Sequence, residues 1–210
     1  MKNSKPKINL KYLDEVSIDE LDLENDIDYK KISNCEIKQP IKGIEFNACI
    51  FEKVDFSKTK IERLDLIDCI FNNCDLSNID LSEKLILRCE FNNCKLIGAK
   101  LVESSIQNTL FNNCNMVYSN FNSCRIKEVI FKETNLKDTS FNEITHNKLE
   151  FDECNLQNNE FYNTKLKDID LSNSTIEGIL ISSNDLKGVH INSYQATLLI
   201  RGFGVNIKED

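Results

Sequence analysis

From Ile41 to Ile191 every fifth residue is apolar, with a single exception. The frame runs Ile41, Phe46, Phe51, Phe56 and Ile61 through Leu171, Ile176, Ile181, Leu186 and Ile191; thirty of its 31 positions are apolar and the other is His146. Eleven of the twelve Phe residues fall in it. A helix repeats its buried stripe about every 3.6 residues and a strand every second residue, so neither produces such a frame by itself. An unbroken short period instead marks units that stack upon one another, and hence a solenoid.

Two residues before each frame position the side chain is repeatedly small or a thiol, as at Cys49, Cys69, Cys74, Ala99, Ser104, Thr109, Ser119 and Thr164. Eight of the nine cysteines sit there, and Cys35 joins them if the earlier frame runs one residue later, through Ile32 and Ile37. The other three places in each unit hold mostly Asn, Asp, Ser, Lys and Glu. A longer period of 20 lies over the short one: Phe51, Phe71, Phe91, Phe111, Phe131 and Phe151 form one ladder, and Asn72, Asn92, Asn112 another. Four units therefore make one coil, and like residues meet along the axis, where rings stack and amides bond. Composition adds a puzzle. Hairpin proteins turn on Gly and Pro, but this chain has only six and two.

The spacings of five and 20 explain the cysteines as inward small residues. Zinc ligands cluster at spacings of about two to four, so no metal or cofactor is expected. His146 reads as a hydrogen-bonded core residue or a local bulge, and Lys84, in an inward slot, as an irregular corner or a partner contact. Catalysis requires groups converging in a concavity; neither a nucleophile motif nor a phosphate loop is present, and the expectation is a non-enzyme. With a net charge of −8, direct nucleic-acid binding through cations on phosphates is not expected. No apolar run nears the roughly 18 residues of a membrane span, and the polar start Met1-Lys-Asn-Ser lacks a leader's apolar stretch; the expected location is the cytoplasm.

Residues 1–40 are expected to cap the N-terminal end, with eight acids and no base between Asp14 and Asp28. Residues 41–191 form the repeat. In 192–210 Ser193 can start a short helix and Gly202 end it.

Units such as Cys69-Ile-Phe-Asn-Asn and Cys154-Asn-Leu-Gln-Asn resemble the pentapeptide-repeat family. The resemblance implies an all-β fold, a right-handed quadrilateral β-helix, here with a short C-terminal α-helix. The segment Asp185-Leu-Lys-Gly-Val-His-Ile-Asn-Ser-Tyr-Gln-Ala-Thr-Leu-Leu resembles the C-terminal part of Qnr-type and MfpA-type quinolone-resistance proteins. That likeness implies a homodimer of rods placed end to end through Tyr194, Leu198, Leu199 and Phe203. It also implies a DNA mimic that binds DNA gyrase or topoisomerase IV and modulates quinolone action, with Asp168, Asp170, Glu177 and Asp185 near the dimer axis as candidate contacts. Many Qnr proteins carry loops within the repeat, whereas here the frame is unbroken. The charge is also patchy: the face through Leu66 and Ile126 starts acidic (Glu45, Asp65, Asp68) and turns basic (Arg125, Lys127, Lys148, Lys165, Lys167). The competing expectation is a general protein-interaction scaffold that uses the stripe Ile50, Ile70, Leu110, Ile130 or the acidic cap.

Overall fold

The computed structural model describes residues 4–42 and 44–208. It is a right-handed parallel β-solenoid of about seven turns with one short C-terminal helix. The ladder keeps the register of 20: Ser105 pairs with Arg125 and Arg125 with Thr145, while the bridges Asp75–Lys95–Asn115–Asn135–Asn155–Thr175 carry the same step along another face. Apart from His146, the frame residues point inward, the large rings almost wholly buried. Phe51, Phe71, Phe91, Phe111, Phe131 and Phe151 stack with centroids 4.7–5.4 Å apart and planes within 11° of parallel. Free aromatic pairs prefer offset or edge-on contact; here the inter-strand spacing of about 4.8 Å dictates the stack. A second column, Phe121, Phe141 and Phe161, supplies the edge-on contacts, as between Phe141 and Phe151 (5.7 Å, 84°).

The small inward residue is more than a space-saver. Its thiol or hydroxyl donates to the carbonyl 23 residues earlier: Ser104 Oγ to Leu81 O (2.6 Å), Thr164 Oγ1 to Phe141 O (2.7 Å), Cys69 Sγ to Phe46 O (3.2 Å). A donor of that length is what Cys, Ser and Thr share.

The corners answer the puzzle of the missing Gly. Two residues after nearly every frame position, φ is positive, between 48 and 64° for the non-glycine residues from Ala48 to Asp168. Asn and Asp tolerate this left-handed region best after Gly, and Asn73, Asn78, Asn93, Asn108, Asn113, Asn158 and Asn163 stand there. The abundance of Asn is a turn signal.

The ladder also reaches back into the first 40 residues. Ile27, Ile32 and Ile37 are buried, with Ile27 opposite Phe46 and Ile32 opposite Phe51, one residue out of the main step, as the placement of Cys35 requires. At the other end helix α1 spans Ser193–Gly202, and its N-cap is Asn192 rather than Ser193. Asn192 has the extended backbone of a cap and a reciprocal pair of bonds with Gln195, each 2.9 Å. The Gln195 amide also donates to Leu171 O and Ser174 O, both at 2.7 Å, closing the last coil.

Two irregularities foreseen from the sequence take other forms. At Lys84 the backbone is regular, its carbonyl accepting from Ser105 N at 2.9 Å, and only the side chain leaves the core. His146 makes no bulge and is not a core residue: it lies in register opposite Ile126, half-buried, in the strand Thr145–Asp152.

Candidate interaction surfaces

Because the frame residues fill the interior, whatever this chain recognises meets its faces and corners. Many left-handed corners present exposed side chains, several of them acidic. One corner carries Glu83, Glu103 and Glu143, all exposed, with Ser123 between the last two; another carries Glu133 and Glu153. Sorting outward residues by face misses these rows. The residue two places after the frame would have revealed them.

The four acids expected near a dimer axis do not form one cluster. Asp168 occupies a corner and Asp170 begins the next face; Glu177 lies on the following face, with the Tyr194 hydroxyl 3.5 Å from it, and Asp185 sits in the short 3-10 turn Ser183–Leu186. The Asp170 carboxyl is held below its ordinary range by hydrogen bonds from Ser172, whose N–H donates at 2.9 Å. Asp68, counted in the outward acidic half, is instead 6% exposed: Arg88 grips both its oxygens at 2.6 Å, and the Lys7 N–H donates to it at 2.8 Å. The acidity of that half rests on Asp26, Glu45 and Asp65, which line a 460 Å³ depression with Arg63, Glu83 and Lys84. Burial, then the neighbours Asp26, Asp65 and Asp28, raise the Glu45 carboxyl.

Where the same face turns basic, the ladder opens. Residues 166–169 form a turn, Ile169 N bonding Leu166 O at 3.1 Å, instead of a strand. Consequently no backbone hydrogen bond joins residues 145–152 to 165–172 among the described residues. A 610 Å³ cleft results, lined by residues including His146, Lys148, Asp152, Lys167, Asp168 and Asp170. It is pinned by His146 Nε2, 2.6 Å from Lys165 O, and by Asn173 donating to Asp152 at 2.7 Å. Among the described residues no group of three or more His, Cys, Asp or Glu could hold a metal. Nor is any helix among them long and apolar enough to cross a membrane.

At the C-terminal end Tyr194 (63% exposed) and Phe203 (47%) face outward and Leu198 is half-buried. Leu199 turns inward onto its own chain's core, at the floor of a depression lined also by Leu180, Leu198 and Phe203. Leu180, Ile200, Val205 and Ile207 are exposed there as well, an apolar surface larger than the sequence suggested. The stripe through Ile50, Ile70, Leu110 and Ile130 is weaker than expected: all four are half-buried, Glu90 interrupts the row and Glu150 ends it.

Comparison with known proteins fits this architecture. A family profile described as a pentapeptide repeat region matches residues 84–146 and 119–191, and one described as pentapeptide repeats (8 copies) matches 46–83. No curated protein sequence is significantly similar. A trypsin-treated form of QnrB1, a plasmid-mediated fluoroquinolone resistance protein, superposes with a TM-score of 0.55 at 20% identity, covering 92% of this chain and 95% of that one. HetL, a pentapeptide repeat protein involved in heterocyst differentiation regulation in the cyanobacterium Nostoc, gives 0.48 at 15% identity, covering 80% and 87%. At 20% identity what this chain shares with QnrB1 is the fold.

Proposed function

Since this chain belongs to the pentapeptide-repeat family, we propose that it is a non-catalytic, DNA-mimicking partner of a type II topoisomerase, DNA gyrase or topoisomerase IV, and modulates quinolone action on it. The observation that carries the reading is a rod of repeating section with carboxylates projecting from its left-handed corners. Magnitudes set how far the mimicry goes. Duplex DNA carries one charge per roughly 1.7 Å of axis. A net charge of −8 over a rod about 35–40 Å long, at about 4.8 Å per coil, is one charge per about 5 Å. The rod therefore competes for a basic DNA-binding groove as a weaker polyanion than DNA, and shape must supply the rest. Two rods joined end to end by Tyr194, Phe203 and their apolar neighbours double the length at the same density. Asp168, Asp170 and Asp185 then lie near the joint and remain contact candidates. The enzyme's location implies the cytoplasm for this protein too.

Titrating purified DNA gyrase with the protein in a supercoiling assay, with and without a quinolone, tests the proposal. Supercoiling should fall, or resist the drug, at micromolar protein, and the effect should fade as salt rises. Supercoiling and drug sensitivity both unchanged across the range would sink the reading. A general scaffold acting through the Ile50–Ile130 stripe is less well supported, because that row is half-buried and broken by Glu90.

A further inference from the structure

Among the described residues with positive φ, aromatic side chains occupy two, Tyr29 and Tyr118. Bulky residues avoid this region, and one held there signals either local compensation or function. Tyr29 is compensated: it is half-buried and meets Tyr12 edge-on at 5.8 Å. Tyr118, at φ 63°, is 66% exposed and has no ring, hydrogen-bond or ionic partner for its side chain among the described residues. Its corner is also looser. Tyr118 N lies 3.2 Å from Lys137 O, against 2.9 Å for Gly98 N to Val117 O below and for Asp138 N to Gln157 O above. The rung beneath is glycine, leaving no side chain for the ring to rest on, and the Asp138 carboxylate above is taken by Asn158 (2.8 Å). Nothing among the described residues compensates this aromatic.

We propose that Tyr118 is an anchor that inserts into a slot on the topoisomerase, an inference that rests on the function proposed above. Val117 precedes it and Ile97 precedes the glycine of the rung beneath, both half-buried; the complementary slot is apolar. The position is continuous with the acidic surface. The face bearing Leu101, Phe121 and Phe141 is bordered on one edge by the corner of Tyr118 and on the other by that of Glu103 and Glu143. When the acidic corner lies in a basic DNA groove, Tyr118 meets the groove's flank. Tyrosine is among the residue types that carry a disproportionate share of binding at interfaces.

The strain makes the test discriminating, because Asn suits the corner better than Tyr does. In the full-length protein, Tyr118→Asn should raise Tm by about 2–4 °C while weakening binding to purified gyrase at least about tenfold, and Tyr118→Phe should keep most of the affinity. Binding by Tyr118→Asn equal to the parent, or a fall in its Tm, overturns the anchor and leaves the proposed function standing. A changed self-association mass for Tyr118→Asn assigns the ring to a second copy of this chain and also overturns it. Absence of binding by the parent protein overturns both.

Discussion

Each five-residue unit assigns one duty to each side chain, and the chemistry of the duty selects the residue. The frame position needs bulk, so it takes Phe, Leu or Ile. The position two before it needs a short donor aimed at a carbonyl of the coil below, so it takes Cys, Ser or Thr. Two of the buried thiols there resist ionisation: burial pushes Cys124 and Cys154 from 9.0 up to about 12. In the unfolded chain the same thiols titrate near their ordinary value of about 8.5–9. Their contribution to stability is intact below that value. It is lost as pH climbs from about 9 to about 12, because only the unfolded chain releases the proton in that interval. Urea melts across this range should show stability falling, with Cys124→Ser flattening the slope by up to about 1.4 kcal/mol per pH unit. The serine hydroxyl still reaches Leu101 O, which Cys124 Sγ contacts at 2.7 Å, so stability at neutral pH should change little.

Between elements the interactions are nearest-neighbour, which localises the consequences of a change. Helix α1 closes the last coil with two buried side chains, Gln195 and Leu199, of which Gln195 makes the polar contacts. Replacing it by Ala leaves Leu171 O and Ser174 O without their donor, at a cost of about 1–3 kcal/mol for each buried group left unpaired. Hydrogen exchange should quicken in α1 and in the coil beneath it but not around Phe111, several coils away; uniform loss of protection would contradict a nearest-neighbour solenoid. The frame and the ladder were legible in the sequence because one residue type recurs at one inward place. The opening beside His146 was not, because it depends on residues 166–169 exchanging strand for turn while the frame continues through Leu166 and Leu171 without a slip. The paired state of Asp68 was hidden for a different reason: one of its partners is the backbone of Lys7, 61 residues away and outside the repeat.

For the molecule as a whole the open question is how many rods act together. Tyr194, Ile200, Phe203 and Val205 remain exposed at one end, and large apolar side chains left in solvent together are a mark of interaction surfaces. Substituting Tyr194 and Phe203 by Asp should convert a dimeric mass, measured by light scattering, to a monomeric one with the melting of the repeat unchanged; a parent already monomeric would remove the end-to-end assembly. The register of 20 along the ladder has a further consequence for how such a chain can vary. Removing one whole coil would shorten the rod and leave every later residue at the same azimuth. Removing a single unit of five would also keep the apolar frame, yet twist everything beyond it by ninety degrees. Neighbouring columns of surface groups would then be spliced to one another. A chain of this design can therefore shuffle its exterior like the dials of a combination lock while its interior registers almost no change.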